Sequence, residues 1–100
     1  MAFAALFQGT AAPEHVETLR ESLTTLARKG RNEPGTIRYE FYNHEDEPAV
    51  FLLFAVWESE ADWQAHVAGD AHTQHIASRP EDAWTIPPTM TRLRALADVD

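Results

Sequence analysis

Apolar residues recur along this chain with two different periods, and each change of period marks an element. Residues 2–8 (AFAALFQ) place Phe3, Ala5 and Phe7 on one side and Ala4 and Leu6 on the other. The run is too short for a stable helix and is followed by Gly9, so it predicts a buried strand that stops there. From Pro13 the period becomes helical: Val16, Leu19, Leu23, Leu26 and Ala27 share one face. Pro13 suits the first helical position, and Glu14 and Glu17 sit where the helix dipole favours negative charge. Arg28 and Lys29 fall in the last turn and Gly30 fits just past the end, giving a helix over about 13–29.

Pro34-Gly35 is a turn pair, Pro presetting the first central position and Gly supplying positive φ. Residues 36–43 then alternate, Ile37, Tyr39 and Phe41 against Arg38, Glu40 and Tyr42. After an acidic loop closed by Pro48, residues 49–57 (AVFLLFAVW) are apolar throughout, and the two runs predict an antiparallel hairpin with a long connection. Ser59 opens a capping-box-like S-E-A-D, and Trp63 and Val67 lie one turn apart in the helix that follows. Gly69 ends it, and Asp70 can cap a second short helix over 71–78. Residues 79–88 (RPEDAWTIPP) read as a Pro-rich loop, and residues 89–97 alternate again as a last strand.

The order is β-α-β-β-α-β with the second helix broken near Gly69. This is the ferredoxin-like α+β pattern, in which helices cover one face of a four-stranded antiparallel sheet. In the strand at 49–57, Val50, Leu52, Phe54 and Val56 oppose Phe51, Leu53, Ala55 and Trp57, so neither face suits water. The helices account for one face only. The other predicts a homodimer packed through the sheet face. Loops of the same chain covering that face are the alternative.

Composition narrows the class of function. One hundred residues make one domain. A chain of this length buries roughly 60–70% of the surface its unfolded form exposes, enough for a modest core. Sixteen acidic against eight basic side chains give a net charge of −8, which argues against nucleic-acid binding because phosphates need Lys and Arg. No cysteine is present, which excludes disulfides, thiolate metal sites, Fe–S clusters and thiol catalysis and fits a cytoplasmic protein. The N-terminal MAFAALFQGT lacks the basic start and the length of a signal peptide. No run approaches the ~20 apolar residues of a membrane span, so no membrane partner is expected.

One ordered set of motifs carries a resemblance. Glu33-Pro34-Gly35, Arg38-Tyr39-Glu40, Phe51, Leu53, Trp57, Ser59-Glu60 and Ala65-His66-Val67 together resemble the antibiotic biosynthesis monooxygenase (ABM) domain family, quinol monooxygenase-like, over residues 3–78. Where the family continues with a His-Phe pair this chain has Ala71-His72, and residues 79–88 match no part of the pattern. The resemblance implies one ABM-like domain over residues 1–100 and a dimeric α+β barrel whose last strand often touches the partner. For some members it implies oxidation of polycyclic phenols or quinols by O2 with no flavin, haem or metal. Others degrade haem and many have no proven activity, so membership alone does not fix a reaction.

Oxygenation without a cofactor needs a small aromatic substrate that is itself the electron donor. The protein must add an apolar pocket, a base and donors for a developing oxyanion. Histidine is the natural base. His66 lies one helical turn from Trp63, and His72 and His75 are i, i+3 on the next helix. The catalytic candidates are therefore His66 and His75, and the substrate-binding candidates are Tyr39, Trp57, Trp63 and His72. Tyr42, Arg38 and the indole N–H groups add further possible donors. Each has a plainer reading. His66 can be a helix residue bonded to a backbone carbonyl, His75 a surface residue and Trp63 core packing. Tyr39 can be core with its hydroxyl at a pocket edge.

No metal and no cofactor are expected. The i, i+3 histidines suit zinc or copper, but no carboxylate or cysteine stands at ligand spacing. The haem-degrading branch of the family relies on an Asn in the first strand and a Trp in the second helix. Here that strand has no Asn and the helical place is His66. Ser22, Ser59 and Ser78 sit in helical or capping contexts without a nucleophile elbow. Two functions remain: a cofactor-independent monooxygenase, or a non-catalytic small-molecule-binding or accessory protein with the same dimeric barrel. A cavity lined by Tyr39, Trp63 and His66, with the histidine reachable from solvent, favours the first, and one filled by its own aromatic side chains favours the second.

Overall fold

Strands and helices alternate along the chain in the expected order, and the differences fall at element ends. The computed structural model describes residues 2–96. Strand β1 spans Phe3–Ala11, and a 3-10 turn at Pro13–His15 leads into α1, Val16–Arg31. The hairpin β2, Thr36–Asn43, and β3, Val50–Trp57, precedes α2, Glu60–Ala68, α3, Asp70–Ser78, and β4, Trp84–Leu93. The sheet order is β2-β3-β1-β4 with every neighbouring pair antiparallel. That is the ferredoxin-like arrangement, with the second helix present as two pieces.

One face of the sheet meets the helices. Leu19, Leu23 and Leu26 of α1 pack against Phe3, Ala5, Tyr39, Phe51, Leu53, Ala55 and Trp57 in one buried cluster. Each leucine taken fully out of water there stabilises the fold by about 1.5–3 kcal/mol. Arg92 of β4 lies 4.8 Å over the Phe3 ring and bonds Glu60 at the start of α2, tying the edge strand to the helical layer. Among the described residues no helix is long and apolar enough to cross a membrane.

The opposite face carries Ala4, Leu6, Val50, Leu52, Phe54 and Val56, flanked in register by Arg38, Glu40 and Tyr42 of β2 and by Thr91 and Leu93 of β4. Val56 is 1% exposed between Arg38 and Ala4, whereas Leu6, Leu52 and Phe54 are half-buried and Leu93 is 40% exposed. All three helices lie on the other side.

Several boundaries differ from the sequence reading. The first strand does not stop at Gly9 but runs on to Ala11, because Gly9 lets β4 approach: a Cβ there would lie 3.0 Å from Pro88 Cγ. Gly30 does not end α1. It is the buried floor under the Tyr39 ring, where a Cβ would come within 2.7 Å, and the helix continues to Arg31. The supposed loop 79–88 is half strand. β4 begins at Trp84 and carries Pro87 and Pro88 within it, tolerable because β4 is an edge strand with register shifts opposite Gln8 to Ala11. It ends at Leu93, and the last residue of the predicted strand 89–97 lies outside the described residues.

Candidate active site

The hairpin turn and the broken helix set the site's geometry. Pro34-Gly35 forms the expected turn, with Gly35 at φ +83°. Just before it, the backbone of Glu33 is held at both ends: its N–H donates to Gly30 O and its carbonyl accepts from Thr36 N, both at 3.2 Å. Ser59 fixes the start of α2, accepting from the Asp62 N–H at 3.2 Å and donating to Asp62 Oδ2 at 2.9 Å. That start sets the helical phase that turns Trp63 and His66 inward. At the α2–α3 break Gly69, not Asp70, is the N-cap of α3, and the Asp70 side chain makes no capping bond. The break re-aims the chain so that α3 presents His72 and His75 to the same interior.

Between sheet and helices lies a cavity of about 380 Å³. Tyr39, Trp57, Trp63, His66, His72 and His75 all line it, together with Phe7, Phe51 and Trp84. Phe3 stacks on Trp63 with ring centroids 4.8 Å apart, and Tyr39 meets Phe41, Trp57 and His66 edge-on. These contacts form walls and leave the interior open. Volumes of about 300–1,000 Å³ are usual for small-molecule sites.

His66 is the most constrained polar group there. Its side chain is 5% exposed; Nδ1 lies 2.5 Å from Glu33 Oε1 and Nε2 3.3 Å from the Tyr39 hydroxyl. Its partners are thus two side chains, and the backbone carbonyl considered from the sequence is not among them. Burial, and then the nearby Glu33 carboxylate, push the Tyr39 phenol well above its ordinary value, so it stays protonated. The His72 ring lies 5.3 Å from that of His66, and burial followed by the His66 charge lowers its pKa.

His75 is not a surface residue. It is 8% exposed, bonds Ser22 of α1 from Nδ1 at 2.7 Å, and is pushed down to about 4 by burial, with Arg79 and His72 adding to the shift. It is therefore an uncharged imidazole at neutral pH. It also lines a second, outer groove of about 510 Å³ between α1 and α3, which Ser22 shares. Trp57 Nε1 and Trp84 Nε1 are buried beside the cavity with no hydrogen-bond partner among the described residues. Tyr42 and Arg38 lie on the opposite sheet face, away from the cavity, and so leave the list of possible oxyanion donors.

His66, His72 and His75 do not converge as ligands. Among the described residues the group of carboxylate and imidazole atoms within 4.8 Å of one another is Glu14, His15 and Asp82, outside the cavity. The sequence points to neither Glu33 nor Ser22 as a histidine partner, with Ser22 weighed only as a nucleophile. Glu33 stood in the turn motif but was read only as its flank, and Ser22 lies 53 residues from the histidine it bonds.

Known proteins share this architecture. PA3566 of Pseudomonas aeruginosa superposes with a TM-score of 0.88 at 22% identity, covering 96% of this chain and 95% of its own. Rv0793 of Mycobacterium tuberculosis does so at 0.89 and 21%, covering all of both chains. At such identities the likeness speaks for the fold alone. The uncharacterised protein sll1783 of Synechocystis is 30% identical over 69 residues, 69% of this chain and 47% of its own, so the chain spans about half the length of that relative. The sequence pattern of the family described as antibiotic biosynthesis monooxygenase matches residues 2–78, which include Tyr39, Trp57, Trp63 and all three histidines of the cavity but not Trp84. The chain belongs to the antibiotic biosynthesis monooxygenase family.

Proposed function

We propose that this protein is a cytoplasmic, cofactor-independent monooxygenase that oxidises a polycyclic phenol, anthrone or quinol with O2. It acts as a homodimer joined through the sheet face that the helices leave uncovered. The observation that carries the reading is the buried His66, held between a carboxylate and a phenol at the wall of an aromatic cavity that its own side chains do not fill. The open cavity favours catalysis over the non-catalytic binding reading.

With an anthrone the steps balance as follows. His66 takes a proton from the ring methylene, and the carbanion passes one electron to O2. The radical and superoxide combine into a C–O bond, and the returned proton gives the hydroperoxide. Loss of the second methylene proton to the base breaks the O–O bond. Quinone and one water leave, the substrate oxidised by four electrons and O2 reduced by four. Tyr39, kept protonated, donates to the oxyanion that forms first. His72 and His75 line the same space as neutral imidazoles and serve substrate contact and proton return.

Aerobic incubation with a panel of anthrones and hydroquinones, following O2 uptake, tests the reading. Wild type is expected to consume O2 with at least one of them, and His66→Ala to be slower by about 100-fold or more. Equal rates for the two proteins would remove His66 as the base.

A further inference from the structure

We infer that Glu33 is the positioning residue of this site. It holds the proton of His66 on Nδ1 and so directs the Nε2 lone pair at Tyr39. The inference rests on His66 being the base of the proposed reaction, but its structural half does not depend on any substrate.

The argument begins with what each group can do. A carboxylate only accepts hydrogen bonds, so the 2.5 Å contact from His66 Nδ1 to Glu33 Oε1 places the proton on Nδ1. A neutral imidazole then has its lone pair on Nε2. The neighbour of Nε2 is the Tyr39 hydroxyl, a phenol that keeps its proton and can donate it. The chain of bonds therefore has one direction: Tyr39 O–H to Nε2, and Nδ1–H to Glu33. At 3.3 Å the Tyr39 link is the longer of the two, so a substrate hydroxyl or acidic C–H can displace it from Nε2 while the Glu33 link persists.

Glu33 is built to stay in place. Both backbone bonds in the α1–β2 turn fix its Cα, and its second carboxylate oxygen lies 3.5 Å from where a Cβ on Gly69 would stand, beside the helix break. With the side chain 23% exposed, the carboxylate is partly shielded from water and close enough to oppose the positive charge that arrives on the ring when Nε2 takes a proton. It is not among the residues that line the cavity, and so reaches a substrate through its bond to His66 and through its charge beside Tyr39.

The test uses the whole chain with 15N-labelled histidine and records the long-range 1H–15N correlation pattern of His66 at a pH where its ring is neutral. Wild type is expected to show the Nδ1–H tautomer. Glu33→Ala is expected to lose that pattern in favour of Nε2–H, while Glu33→Gln keeps it, because the amide oxygen can still accept from Nδ1. With a substrate found in the O2-uptake panel, Glu33→Gln is expected to lose about 10- to 100-fold in kcat with KM within about twofold, since geometry remains and the counter-charge does not. An Nε2–H pattern in wild type overturns the assignment, as does an unchanged pattern in a folded Glu33→Ala. Should the alanine variant not fold, the wild-type spectrum still decides. A His66→Ala variant that turns over substrate at the wild-type rate would sink the base reading and leave the tautomer assignment standing on the spectrum.

Discussion

Burial against α1, with Arg79 nearby, keeps His75 uncharged down to about pH 4, whereas in the unfolded chain it takes a proton near 6.5. Between those values the unfolded state binds more protons than the folded one. Stability is therefore expected to fall as pH drops from about 6.5 to about 4, and the contribution levels off below that. His72 adds to it with the same sign. Urea titrations of wild type and His75→Gln at several pH values check this, and the variant should lose less stability across the window than wild type does. A parallel fall in both proteins would show that His75 is not the group responsible. At this scale the sequence was informative where chemistry is declared by residue type and helical spacing. Trp63 with His66, and His72 with His75, sit one turn apart, and such pairs face one interior once the helices dock. Glu33 was illegible because its meaning comes from a partner 33 residues away, and a lone carboxylate beside a turn has no period to reveal it.

Helix α1 shows how a residue with strong local preferences yields to packing. Its apolar stripe, from Val16 to Ala27, was plain in the sequence because burial on one side of a helix enforces the spacing. Its end was not. Gly30 has the local signature of a helix stop, yet the helix runs past it to Arg31, because the space its missing Cβ leaves is taken by the Tyr39 ring. Gly30→Ala sets two effects against each other. Alanine favours a helix interior by about 1 kcal/mol over glycine. Its methyl would meet a ring carbon at 2.7 Å, and the buried Tyr39 ring can yield only by giving up its contacts with Phe41, Trp57 and His66. Overpacking of this kind costs about 1–3 kcal/mol. The net expectation is a loss of about 1 kcal/mol, measurable as a lower urea midpoint, with Tyr39 displaced from His66. A stabilised variant would mean that the ring yields without that loss. Strand β4 gives the converse case. Its prolines spelled loop, and only the pairing partner across the sheet, with Gly9 opposite, makes room for them.

For the molecule as a whole, the helical layer and the sheet were legible together because the fully apolar strand β3 demanded cover on both sides. The structure supplies cover on one. Leu52, Phe54 and Leu6 lie half-buried on the other, at the centre of a face rimmed by Tyr42, Glu40 and Arg38. The proposed homodimer predicts that Phe54→Lys, a charge in the middle of that face, converts a dimer into a monomer in sedimentation at micromolar concentration. The isolated sheet face should tolerate lysine's long stem, so the circular dichroism should stay native-like. A wild-type monomer under the same conditions would end the dimer proposal. The prolines of β4 add a constraint of a different kind. Pro87 and Pro88 sit together in the bulge opposite Gly9, so two adjacent residues of that rim have no amide donor at all. A foreign strand arriving at that rim finds an interrupted row of donors and cannot zip along it. The rim formed by β2, Thr36–Asn43, has no such interruption. Sideways growth into fibrils, should heat or acid loosen the fold, thus has a single open end from which to start, and the chain is polarised against it by two adjacent rings.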